Sequence, residues 1–181
     1  MSESPVLVGI LPHVRQQLDL YIAECPEEIS GFGEVEVQAG QLVITAVHLL
    51  VQEVTPSETV MSGLTIALFL AQMVEQKRPP EAFRFWWHSH ASHETYFSPT
   101  DEATIAGFDH APWWLSFVGN HRGSYEARLD IFPFPASGIP IRVTKPVRLV
   151  SQNSAAQVAK VRAEILQRVS FKRSPVPVQN L

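Results

Sequence analysis

The stretch FRFWWHSHASHETYFSPTDEATIAGF, residues 83–108, decides how this chain folds. Its first eight residues, 83–90, are rich in aromatic side chains and predict a buried strand. Ser98 then provides a helix N-cap, Pro99 suits the first helical position, and Asp101 completes a spacing like that of a capping box. A short helix is therefore expected soon after the strand.

The residues before this unit alternate between helical and extended patterns. Residues 12–25 place apolar side chains on one helical face, and residues 35–47 predict two strands that turn at Gly40. The segment QEVTPSETV, residues 52–60, is typical of a polar loop. Residues 61–77 are apolar on most sides, which predicts a second helix that is well buried.

The residues after this unit continue the mixture of strands and helices. Two strands joined by a hairpin, a further strand and a last helix are predicted over 113–120, 124–132, 141–150 and 154–169. The order helix, strands, helix, strand, helix, strands, helix predicts an α+β fold, or α/β sandwich. We expect one domain over residues 1–170 and a loose tail over 171–181.

Composition excludes several classes of protein. A formal net charge of −4 on 181 residues argues against a general nucleic-acid binder, which needs a basic surface. The single cysteine, Cys25, rules out an internal disulfide and a cysteine-rich zinc site, and it fits a reducing compartment. The N-terminus lacks the pattern of a secretory signal, and no run of 18 apolar residues predicts a membrane helix. We therefore predict a cytoplasmic protein with no membrane partner.

The residues with metal-binding chemistry lie between 88 and 101. His88 and His90, two positions apart at a strand end, project from the same side of the backbone, and the loop after them can bring Asp101 back towards them. Two imidazoles and one carboxylate suit Zn²⁺ and leave a fourth position for water. Ser98 lies one helical turn before Asp101 and can face that position.

Each of these residues also has an ordinary structural interpretation. A single histidine on an aromatic strand is usually a packed core residue, and Ser98 with Asp101 alone would be a helix cap and a first-turn acid. A His-x-His pair by itself is a weak signal. The combination of all four residues at one strand-to-helix junction favours a site.

Two separated segments resemble one known family. His88-Ser89-His90, followed after seven residues by Ser98 and after two more by Asp101, resembles the signature of the JAMM (MPN+) metalloproteases. That family also has a glutamate in a Glu-x-x-Gly setting before its first strand, and Glu28 to Gly31 matches it. The resemblance covers roughly residues 8–150 and implies the MPN fold, a mixed central sheet flanked by helices.

The resemblance implies a role for each matched residue. His88, His90 and Asp101 would hold one zinc ion per chain, Glu28 would be the general acid/base, and Ser98 would help to stabilise the oxyanion. The implied reaction is hydrolysis of a peptide or isopeptide bond after the C-terminal tail of ubiquitin or a ubiquitin-like protein. The short irregular segments resemble those of a compact bacterial member. Such members process a ubiquitin-like modifier of a conjugation operon or a sulfur-carrier protein.

Other interpretations stay open at this point. A catalytically silent MPN scaffold, a protein-binding module and a mononuclear iron oxygenase are the alternatives, since two histidines and a carboxylate also suit Fe(II). His93 lies outside the motif and is expected to be a solvated loop residue. The oligomeric state, and the choice between maturing a precursor and removing a conjugate, are not determined by the sequence.

Overall fold

A mixed seven-stranded sheet is the frame of the molecule. The computed structural model describes residues 6–55, 58–132, 141–144 and 155–171. In chain order the helices and strands are β1 (Gly9–Ile10), α1 (Pro12–Glu24), β2 (Ser30–Gln38), β3 (Gln41–Leu49), β4 (Gln52–Thr55), β5 (Glu58–Val60), α2 (Gly63–Glu75), β6 (Phe83–Ser89), α3 (Pro99–Ala106), β7 (Trp113–Gly119), β8 (Tyr125–Ile131), β9 (Ile141–Thr144), α4 (Ala155–Arg168) and β10 (Val169–Phe171).

Strand β6 lies at the centre of the large sheet. The strand order is β1-β3-β2-β6-β7-β8-β9, in which β1 with β3 and β6 with β7 are parallel pairs and the other neighbours are antiparallel. Parallel strands cannot be joined by a tight turn, so the chain crosses from β6 to β7 through α3. This crossover places the start of α3 next to the end of β6.

Alternating side chains on β6 supply two separate cores. Phe85 and Trp87 point to the face that is covered by α1 and α4, where Trp87 stacks on Tyr21 at 5.5 Å. Trp86 points to the opposite face and packs with Ile105 of α3. The aromatic-rich strand is therefore buried on both faces, as predicted, and His88 lies on the α3 side with Trp86.

The structure confirms the predicted α+β class and the mixed sheet flanked by helices. The first hairpin turns at Ala39 and Gly40, whose φ angles of 51° and 79° are those that a tight hairpin turn needs. Helix α1 begins at Pro12, and Ser98 caps α3 as the sequence predicts.

The prediction of a polar loop over residues 52–60 was wrong. Strands β4 and β5 form an antiparallel pair, and β4 also pairs in parallel with β10 near the end of the chain. Gln52 is buried, and its side chain bonds to the backbone of Ser30 in both directions, at 2.9 and 2.8 Å. These polar residues form strands because backbone groups far away in the sequence satisfy their hydrogen-bonding groups. Local composition does not reveal such partners.

The prediction that α2 is well buried was also wrong. Its residue range agrees with the sequence pattern, but Met73 is the buried residue of the helix, whereas Leu64 and Leu68 are 69% and 62% exposed. An apolar composition on all sides predicts burial only when other elements cover the helix. Within the described residues, α2 packs on one side and leaves the other to solvent.

Part of the predicted C-terminal region lies outside the described residues. Strand β9 and helix α4 lie within the predicted strand and helix. Val169 and Phe171, predicted as the end of the helix and the start of a loose tail, instead lie in β10, while 145–150 and 172–181 are not described. No helix in the described part of the chain is both long and apolar enough to cross a membrane.

Candidate metal centre

Two histidines and an aspartate meet where β6 ends and α3 begins. His90 follows β6 directly, and its backbone N–H donates to Gly119 at 2.9 Å, which continues the strand pairing. Nε2 of His88 lies 3.3 Å from Nε2 of His90 and 3.2 Å from Oδ1 of Asp101. Nε2 of His90 lies 3.5 Å from Oδ2 of Asp101. The three ligands predicted from the sequence are therefore brought together.

The spacing of these atoms fits a tetrahedral zinc ion. At metal–ligand distances of about 2.0–2.1 Å, two atoms at a tetrahedral angle lie about 3.3 Å apart. The two histidine nitrogens lie 3.3 Å apart, close to that value. Each lies 3.2–3.5 Å from a different oxygen of Asp101, and one ligand atom from each residue can be chosen so that all three lie within 4.8 Å of one another. All three side chains are buried. Three protein ligands would leave one vertex of a tetrahedral ion for water, as in catalytic zinc sites and unlike closed structural ones.

Neighbouring groups hold the two imidazole rings in ligating orientations. Nδ1 of His90 lies 2.9 Å from the carbonyl oxygen of Glu94. Since a carbonyl only accepts, Nδ1 carries the proton and Nε2 is directed at the site. The ring of His88 stacks on Trp86 at 4.4 Å and contacts Phe97 on another side.

Asp101 serves both the helix end and the site. Its Oδ2 accepts from the backbone N–H of Ser98 at 2.7 Å, and its own N–H donates to Oγ of Ser98 at 3.2 Å, which is a complete capping box. The carboxylate is therefore fixed before any ion binds. The hydroxyl proton of Ser98 is not used in these two bonds and is free to donate to a third group.

The β7–β8 turn anchors the loop between β6 and α3. Ala91 has a left-handed backbone conformation with φ 46°, and its carbonyl accepts from the N–H of His121 at 2.8 Å. The side-chain amide of Asn120 donates to the carbonyl of His93 at 2.8 Å. Arg122 donates to the carbonyl of Ser92 at 3.0 Å. These bonds hold the path of the loop, so Asp101 returns towards β6 in one geometry.

Glu28 lies two residues before the start of β2, beside the end of β6. Its backbone is held from two sides, because Thr59 of β5 donates to the Glu28 carbonyl at 2.9 Å and the next residue, Ile29, pairs with Ser89. Gly31 completes the Glu-x-x-Gly pattern for a steric reason. A Cβ there would lie 2.2 Å from the carbonyl oxygen of His48 and 2.5 Å from the ring of Trp87.

The carboxyl of Glu28 is suited to proton transfer. Burial raises its pKa, with a further contribution from Asp101, while His90 and His93 act in the opposite direction. A raised pKa brings a carboxyl towards the range in which it exchanges protons near neutral pH. Glu28 lines the same cleft as the ligands but is not among the group of described residues whose ligand atoms lie within 4.8 Å of one another.

The charges of the three ligands favour a cation. Burial lowers the pKa of His88, which keeps that imidazole neutral. A hydrogen bond with Asp101 raises the pKa of His90. Burial alone would raise the pKa of Asp101, but hydrogen bonds from His88 and His90 outweigh it and hold that pKa well below its usual range. The buried carboxylate is therefore ionised, and positive charge beside it is favourable.

All five residues predicted for the site line one cleft of about 580 Å³. His93, predicted to be a solvated loop residue, is exposed but also lines this cleft. Thr59, Met61 and Ile66 line it as well and were not found from the sequence. Thr59 belongs to the segment that was interpreted as a polar loop, and Met61 and Ile66 belong to the range predicted as a helix. The β-propensity of the loop segment gave no signal for the strands that form there.

No protein-family model matches this sequence, and no curated protein matches it either. The site is therefore defined by its own geometry. It is a candidate metal centre of three buried side chains that could hold an ion, at the carboxyl end of the central strand of an α+β fold.

Proposed function

We propose that this protein is a zinc-dependent peptidase of the JAMM (MPN+) type, with an MPN fold and one zinc ion held by His88, His90 and Asp101. The observation that carries the proposal is the meeting of three buried side chains, with the two histidine nitrogens 3.3 Å apart and each within 3.5 Å of the Asp101 carboxylate. Glu28, from a distant part of the sequence, lines the same cleft, which supports hydrolysis over iron-dependent oxygen chemistry.

The residues around the ligands divide the chemistry between them. Zinc, when bound, supplies a Lewis acid that activates water and polarises the carbonyl group of the scissile bond. Glu28 accepts the proton of the attacking water and returns it to the leaving amine. Ser98 donates its hydroxyl proton to the carbonyl oxygen as that oxygen gains negative charge.

The substrate we propose is the extended C-terminal tail of a ubiquitin-like protein, cleaved from a precursor or from a conjugate. Strand β5 is the outer strand of the small sheet, and Thr59 within it lines the cleft next to Glu28. An extended peptide that adds to this edge gains backbone hydrogen bonds and has its register fixed. Because Thr59 lines the cleft that also contains the three ligands, we expect such a peptide to present the bond after the tail to them.

Incubation with ubiquitin-like fusion proteins, with and without a chelator, tests this proposal. We expect the zinc-loaded protein to release the C-terminal fusion partner, and a chelator to stop the release until zinc is restored. Glu28→Gln should slow release about 100-fold or more. Glu27, the adjacent residue, does not line the cleft, so Glu27→Gln should leave the rate unchanged. Cleavage that is insensitive to the chelator, or a Glu28→Gln variant as fast as the wild type, would exclude the mechanism.

The same preparations distinguish the alternative functions. A silent scaffold would contain no zinc or would bind zinc without cleaving any fusion. An iron oxygenase would consume oxygen after loading with Fe(II), whereas a peptidase would not. A sulfur-carrier protein included among the fusions separates that substrate from ubiquitin-like modifiers.

A further inference from the structure

Arg128 is a buried cation on the same side of the sheet as the metal ligands. It belongs to β8, is 5% exposed, and its guanidinium contacts three groups. Nη1 and Nη2 both donate to the carboxylate of Glu102, the second at 3.1 Å, and Nε donates to Oδ2 of Asp130 at 2.9 Å. Its Cζ lies 4.2 Å from the centre of the Phe97 ring.

Two of these contacts are made by residues that flank Ser98 and Asp101 in the sequence. Phe97 comes directly before the N-cap Ser98, and Glu102 comes directly after the ligand Asp101. The guanidinium therefore holds the first turn of α3 at both of its ends and ties it to β8, two strands away from β6. Phe97 also contacts the ring of His88, at 6.1 Å between centroids.

We propose that Arg128 is a positioning residue for the metal centre, which acts by fixing the Asp101 carboxylate relative to the two histidines. This inference rests on the proposed function, because it concerns the same ligands. The capping box sets the Asp101 side chain within α3, but it does not set where α3 lies on the sheet. Packing of Ile105 on Trp86 holds the later part of the helix on the sheet, and Arg128 constrains its first turn, through a paired hydrogen bond to Glu102 and a stacked contact with Phe97.

The chemistry of the contacts requires an arginine. A planar guanidinium can bind a carboxylate with two parallel hydrogen bonds, donate to a second carboxylate and stack on a ring at the same time. A lysine keeps the positive charge beside the fully buried Asp130, so the fold keeps its charge balance. It loses the paired bond and the stack, and with them the constraint on α3.

Arg15 provides a matched control. It is also 5% exposed, it pairs with Asp19 at 2.8 Å, and its Cζ lies 4.4 Å from the Tyr125 ring. Tyr125 and Arg128 are three positions apart on β8, so their side chains lie on opposite faces of the sheet. Arg15→Lys thus removes the same kind of contacts on the face that does not carry the ligands.

The test measures the zinc dissociation constant and the visible absorption of the Co²⁺-substituted protein for the wild type, Arg128→Lys and Arg15→Lys. Loss of support outside the ligands typically costs about 10–100-fold in metal affinity. We expect about tenfold weaker zinc binding and an altered Co²⁺ spectrum for Arg128→Lys, with both unchanged for Arg15→Lys. A folded Arg128→Lys variant with wild-type affinity and spectrum would overturn the inference and leave the proposed function intact.

Glu102→Gln decides the matter if Arg128→Lys fails to fold. This variant keeps Arg128 paired with Asp130 and weakens only the connection to α3, so we expect severalfold weaker zinc binding. Wild-type affinity in that variant would overturn the inference. A wild-type protein that binds neither Zn²⁺ nor Co²⁺ would overturn the proposed function and this inference together.

Discussion

Replacing Asp101 with asparagine separates its role in the helix from its role as a ligand. An asparagine oxygen can still accept from the Ser98 N–H in place of Oδ2, which is now bonded at 2.7 Å, and the amide nitrogen then replaces Oδ1, the oxygen nearest to His88. The amide nitrogen is a donor and cannot ligate zinc. Helix α3 should therefore remain while one of the three protein ligands is lost.

The expected loss of affinity follows from the number of ligands. Zinc sites with four protein ligands bind with about 10–16 kcal/mol, which is about 3 kcal/mol for each ligand. Since about 1.4 kcal/mol is a factor of ten, Asp101→Asn should weaken zinc binding roughly 100-fold. Competition with a chromophoric chelator measures this ratio directly.

Thermal unfolding gives an independent measurement. At a zinc concentration about 100 times the wild-type dissociation constant, bound zinc stabilises the wild type by about 2.7 kcal/mol, and the variant by about 0.4 kcal/mol. For a chain of this size those energies correspond to Tm increases of roughly 5–11 °C and about 1 °C. Asp109→Asn, an exposed aspartate soon after α3, is the control and should show the wild-type increase. A full zinc-dependent increase in Asp101→Asn would refute the assignment of this ligand.

Three further predictions concern the base, a close packing contact and the exposed helix. Glu28→Gln should bind zinc within about twofold of the wild type but hydrolyse fusions about 100-fold or more slowly, because it removes acid–base catalysis alone; zinc titration and initial rates check this. Gly31→Ala should lower the free energy of unfolding by about 3 kcal/mol or more in denaturant titration, since its Cβ would meet rigid backbone at 2.2 Å. Leu68→Ala should change it by less than about 0.5 kcal/mol while Met73→Ala costs about 2 kcal/mol or more, and equal losses would contradict the exposure of α2.

The parts of the fold that could be predicted are those with a strong local signal. The strand at Phe83–Ser89 follows from its aromatic residues, and the helix at Pro99–Ala106 follows from its cap Ser98 and from Pro99. Each of these residues influences the backbone only within a few positions of itself. The metal ligands could be proposed for the same reason, because two histidines at strand spacing and a first-turn acid constrain one another locally. Glu28 was different, since only the resemblance to a family selected it among several nearby glutamates.

The parts that could not be predicted depend on partners far away in the sequence. Strands β4 and β5 are short and polar, and β4 gains a neighbour only when β10 arrives beside it. The exposure of α2 depends on which elements cover it, which no periodicity in its own sequence can report. The contacts of Arg128 join β8 to α3 across 26 positions, so its ordinary place in a strand pattern gives no sign of them.

The pairing of β4 with β10 also sets an order of assembly during protein synthesis. The three proposed ligands emerge from the ribosome well before Val169–Phe171, so under the proposed function the nascent chain would be able to bind an ion before β4 has β10 as its neighbour. A truncated chain that ends within α4 should then bind zinc while β4 and β5, beside Glu28, are incompletely ordered. We expect such a fragment to compete for the ion without turning over substrate.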